Sequence, residues 1–87
     1  MGVYVVERYW PGVRDADVDA LAVRLRAVAG RLAAAGEPIR YLGSVLLVGD
    51  DVVQCRFESD DADAVVWLNE QAGAQFDRLL SARAYPA

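Results

Sequence analysis

Apolar residues recur along this chain with two different periods, and the switches between them mark out six elements. Val3 to Trp10 is dense in β-branched and aromatic side chains and predicts a first strand, closed by Pro11-Gly12. Val18, Leu21, Leu25, Val28 and Leu32 then fall at alternating spacings of three and four, the single stripe of an amphipathic helix. Asp15, Asp17 and Asp19 stand around its first turn, where free amides favour negative charge, and Gly36 and Pro38 stop it.

Ile39 to Val48 predicts a second strand, in which Val45-Leu46-Leu47-Val48 is apolar on both parities and should be covered on both sides. Gly49-Asp50-Asp51 supplies a tight reversal into a third strand, Val52 to Ser59. Alternation there sends Val53, Cys55 and Phe57 toward the helices, and Val52, Gln54, Arg56 and Glu58 outward or toward a partner. Ser59 stands where it can cap a second helix, with Asp60, Asp61 and Asp63 at its start. Val65, Leu68 and Ala72 form its stripe, Gly73 ends it, and the segment from Phe76 to Tyr85 holds a last strand from Leu79 to Tyr85.

The order β-α-β-β-α-β predicts an α+β ferredoxin-like sandwich. Two helices lie on one face of a four-stranded antiparallel sheet with strand order 4-1-3-2, all within a single domain over residues 1–87. The other sheet face is left bare. A chain of this length hides only about 60–65% of its extended surface, so a homodimer, a dimeric α+β barrel, is the expected way to cover it.

Charge narrows the partners. Thirteen acidic residues stand against nine arginines, with no lysine and no histidine, for a net charge of −4. Nucleic-acid binding needs a basic stripe, and Arg24, Arg26 and Arg31 lie diluted among alanines and aspartates. Without histidine no Ser-His-Asp or Cys-His pair can be assembled in one chain. Cys55 is the lone thiol, which excludes an intrachain disulfide and a zinc-thiolate centre. Met1 to Arg8 has no basic segment leading into an apolar run, and nothing approaches the roughly 20 apolar residues of a membrane helix. The expectation is a cytoplasmic protein.

Several short patterns occur in a fixed order: Val6-Glu7-Arg8 before Pro11-Gly12, Tyr41 with Ser44, Cys55, then Asn69 with Ala72-Gly73 leading to Phe76-Asp77-Arg78. In these the chain resembles the small actinobacterial ferredoxin-like proteins, mostly of unknown function, that include a nickel-binding member. The resemblance implies a dimeric α+β barrel and, for some members, binding of nickel or another divalent metal. Nickel favours imidazole and thiolate, so in this chain such an ion would have to be met largely by Asp and Glu oxygens.

The candidate pocket residues are Glu7, Arg8, Tyr41, Ser44, Gln54, Arg56, Glu58, Trp67 and Asn69. Glu7 and Arg8 interrupt an apolar strand, and alternation sends one toward the helices and the other to the bare face, without saying which. If Glu7 shares the face of Gln54, Arg56 and Glu58, it comes near Arg56, either as a structural ion pair or as a pocket in which Glu7 or Glu58 is raised in pKa to act as a base. Tyr41 and Ser44 carry hydroxyls that close hydrogen bonds or polarise a ligand carbonyl. Cys55 reads as a small core residue. Trp67 and Asn69 flank Leu68, off the main stripe of the second helix. Asp60, Asp61 and Asp63 read as helix-start residues, and Asp50-Asp51 as a turn.

The leading functional expectation is a homodimer that binds a small molecule or metal ion without turnover. A cofactor-free oxygenase, isomerase or cyclase is the second, with Glu7 or Glu58 as base and Tyr41, Arg56 and Trp67 for orientation. A protein-interaction module is the third.

Overall fold

The computed structural model describes residues Met1 to Ala87 and places the elements in the order β1 (Gly2–Tyr9), α1 (Asp15–Ala34), β2 (Ile39–Leu47), β3 (Val52–Ser59), α2 (Ala62–Gln71) and β4 (Arg78–Ala82). The sheet runs β2-β3-β1-β4, which is the expected order read from the opposite edge, and every neighbouring pair is antiparallel. Two split β-α-β units thus interleave into a ferredoxin-like α+β fold.

Local chemistry sets the helix ends. Arg14 at the N-cap of α1 brings no accepting side chain, but Asp17, three residues on, accepts from the Arg14 backbone N–H at 2.9 Å. At the other end Gly36 N–H bonds Ala33 O and Glu37 N–H bonds Leu32 O, both at 3.0 Å, a Schellman closure. The end of α2 repeats it: Gly73 N–H reaches Glu70 O at 3.0 Å and Ala74 N–H reaches Asn69 O at 2.9 Å. Gly73 has φ +64°, which a side chain would resist.

One face of the sheet carries the core. Val6, Val53, Cys55 and Phe57 lie fully buried beneath Leu21, Leu25, Val28 and Leu32 of α1 and Val65 and Leu68 of α2. Each large member contributes about 1.5–3 kcal/mol by leaving water. This matches the stripes and the alternation of the third strand.

Local boundaries differ from expectation at three places. Ser59 does not cap α2. It is still in the sheet, paired with Gly2 and Ile39, and buried, so the turn comes two residues later. Asp61 is the cap, accepting from Ala64 N–H at 2.8 Å through Oδ1. The last strand runs from Arg78 to Ala82, not from Leu79 to Tyr85, because beyond Val3, opposite Ala82, β1 has only Gly2 left and the register leaves Tyr85 nothing to pair with. At the apolar end of β2, Leu46 packs on the core opposite Val53, while Val45 on the other face is 42% exposed within the single chain, and Val48 falls in the turn beyond the strand instead of within it. No helix is long and apolar enough to cross a membrane.

Candidate functional site

The nine candidate residues do not form one pocket, because strand alternation divides them between the two faces of the sheet. Arg8 follows Val6 onto the helix side and is only 6% exposed, joining Tyr41, Ser44 and Asn69. Glu7 lies on the bare side with Gln54, Arg56 and Glu58. Trp67 belongs to neither group, standing half out of the outer surface of α2.

On the helix side a chain of polar contacts crosses the core. The Tyr41 hydroxyl meets Ser44 Oγ at 2.5 Å, Ser44 Oγ meets Cys55 Sγ at 2.9 Å, and Arg8 Nη1 donates to the same sulfur at 3.1 Å. Arg8 Nη2 donates to Asn69 Oδ1 at 3.3 Å and Nε to the Gln75 carbonyl at 2.9 Å. Asn69 is held in turn by its Nδ2 donating to Val65 O at 2.8 Å. Burial pushes the Tyr41 pKa above its ordinary 10.0, opposed by the bond to Ser44, so the phenol keeps its proton at neutral pH.

Asn69 lies on the α2 stripe, not off it: it follows Val65 by four residues, the spacing of one helix face, and that spacing was the available signal. Cys55 is a core residue as expected, but it is also the junction of the polar chain.

Arg8 also lines a cleft of about 370 Å³ between the end of β1, α1 and the segment from Gly73 to Asp77 that leads into β4. Trp10, Leu21 and Phe76 form apolar walls, and Arg24 stands there too, its Nε bonded to Ala72 O at 3.1 Å. Asp77 holds the rim together, accepting from Tyr9 N–H through Oδ2 at 2.5 Å and donating its own N–H to Glu7 O at 2.8 Å. The sequence reading missed Trp10, Arg24, Phe76 and Asp77, which come from three segments far apart in the chain.

On the bare side Glu7 accepts from Gln54 Nε2 at 2.6 Å and from Arg78 Nε at 2.9 Å. Its partner is therefore Arg78, on β4, and not Arg56, because the register sets Glu7 opposite Gln54 on one side and Arg78 on the other. The Gln54 amide and the Arg78 guanidinium hold the Glu7 carboxyl below its ordinary 4.5. That overturns the expectation of a raised pKa at Glu7: it is an ion-pair member, poorly suited to take a proton near pH 7. Arg40 pairs with Glu58 at 3.3 Å on the same face, four residues further along the ladder.

Within one chain the donors do not gather into a nickel site. No three of the Cys, Asp and Glu side chains gather where they could hold an ion. Asp61 is engaged as a cap, and the one thiol is enclosed by Arg8 and Ser44.

No protein-family model matches the chain, and no curated protein matches it significantly. Among solved structures it is similar to that of SCO4226 from Streptomyces coelicolor A3(2), with a TM-score of 0.79 over 97% of this chain and 99% of that one. Sequence identity is 15%, so the likeness establishes the ferredoxin-like fold alone.

Proposed function

We propose that the protein is a homodimer that binds a small organic molecule in the cleft beside Arg8, as a binding protein and not a catalyst. The observation that carries the ligand is Arg8 itself, a nearly buried guanidinium that lines an open cleft and has no carboxylate partner. Burying a cation without a counterion costs several kcal/mol, a cost that a ligand can offset. What favours an organic ligand over a divalent ion is the apolar wall of Trp10, Leu21 and Phe76 together with the lack of clustered acidic donors.

The dimer reading rests on the bare sheet face. Val3, Val5, Val45, Leu47, Val52 and Leu80 alternate onto the side away from the helices, and the ion pairs Glu7–Arg78 and Arg40–Glu58 are already satisfied within the chain. A second copy of the same face buries these residues isologously.

Trp67→Phe leaves Trp10, on the cleft wall, as the sole tryptophan, so its emission reports occupancy. A panel of one-ring aromatic compounds, charged and neutral, is expected to change that emission saturably, in a particle of twice the 9.5 kDa chain mass. Emission indifferent to the whole panel overturns the ligand reading, and sedimentation at the single-chain mass overturns the dimer.

A further inference from the structure

Resting on the cleft assigned above, we infer that its ligand is an organic carboxylate whose carboxyl group docks on the Arg8 guanidinium, with an apolar body lying against Trp10 and Phe76. A guanidinium has five N–H donors. Arg8 uses three of them, on Gln75 O, Cys55 Sγ and Asn69 Oδ1. Nη1 and Nη2 each keep one further N–H, so the guanidinium that lines the cleft has donors to spare for a carboxylate. None of these acceptors is a carboxylate, and Arg8 makes no salt bridge within the chain.

The surroundings point the same way. The protein carries a net charge of −4, yet this cleft is lined by two arginines against one aspartate. That aspartate, Asp77, is turned to the Tyr9 backbone N–H at 2.5 Å. Arg24 adds positive charge from α1. Two ring walls and one buried cation suit a planar monoanion. A phosphate dianion calls for more donors than one fork supplies, and brings no apolar body for Trp10 and Phe76 to cover. A cleft of about 370 Å³ lies in the range of small-molecule sites.

The test titrates the Trp67→Phe protein with benzoate, with benzamide (its uncharged counterpart) and with inorganic phosphate, following Trp10 emission. Benzoate is expected to bind roughly tenfold or more tightly than benzamide, because only the carboxylate makes charge-assisted bonds. Added Arg24→Gln should weaken benzoate a few-fold and leave benzamide unchanged. Added Arg8→Met should erase the discrimination, and where that variant folds poorly, Arg8→Met with Asn69→Leu removes both partners together. Equal binding of benzoate and benzamide overturns the carboxylate assignment while the cleft reading stands. Phosphate binding as tightly as benzoate overturns it in favour of a simple anion site. A cleft that answers to none of the three overturns the carboxylate assignment, and with it the cleft reading if the wider panel is equally silent.

Discussion

Arg8 and Cys55 meet across β1 and β3 with 3.1 Å between Nη1 and Sγ, both side chains enclosed between the sheet and the helices. The register explains the meeting: Val6 lies directly opposite Cys55, so Arg8, two residues on, shares the buried face and folds back over the sulfur. An arginine here is an electrostatic cost to the fold, and its bonds to sulfur, amide and carbonyl only partly compensate.

Arg8→Met should therefore cost less than the loss of three hydrogen bonds suggests. Gln75 is exposed, so its carbonyl can turn to water, and Cys55 keeps Ser44. Asn69 Oδ1 is the buried acceptor left bare, at about 1–3 kcal/mol. Adding Asn69→Leu removes that orphan, so the double variant should return to within about 1 kcal/mol of the parent or exceed it. Urea unfolding of the four proteins measures this, and strict additivity of the two losses contradicts it.

Glu7 makes acid stability depend on its ion pair. Its folded pKa lies below the ordinary 4.5, so its stabilising contribution is present above that value and is lost as pH falls through the folded pKa. Glu7→Gln should melt with a shallower loss between pH 5 and the acid limit than the parent, on the order of one titrating group. Equal slopes in melting series from pH 3 to 7 would show that the Gln54 and Arg78 contacts do not persist in solution.

Tyr41 acts at the other end of the scale. Its folded pKa is raised above 10.0, so its contribution is intact below that value and is lost as pH rises from there through the folded pKa. Tyr41→Phe should cost about 0.5–1.5 kcal/mol at pH 7 for the bond to Ser44. It should also remove part of the alkaline loss. The gap between the two proteins therefore narrows above pH 10, and melting curves at pH 7 and 11 give its sign.

Val5 tests the sheet face. It stands opposite Arg56 on β3 and Leu80 on β4, on the side without helices. In Val5→Glu the introduced carboxylate can pair with Arg56 across the strands, so a lone chain should keep its fold and its circular dichroism. In a dimer closed over this face the same charge is desolvated, and dissociation should strengthen at least roughly a hundredfold. Sedimentation of the variant as a stable dimer would place the interface elsewhere.

The amino-acid order alone determined the elements and most of the core, because each rests on a local period: Leu21, Leu25, Val28 and Leu32 repeat at a helix turn, and Val53, Cys55 and Phe57 at a pleat; the strand order followed from the element order and the handedness of crossovers. The C-terminal helix ends were equally local, since Gly36 and Gly73 each bond a carbonyl three residues back and the residue after each bonds one five back. Tertiary structure decided the site. Apolar residues occupy both parities of β1, so nothing within that strand says whether Glu7 or Arg8 turns inward. The choice is made by the register that seats Val6 against Cys55 and Glu7 between Gln54 and Arg78. The cleft likewise joins Trp10, Arg24 and Phe76 from three separate segments, and only chain closure over those separations brings one cation and two rings to the same opening.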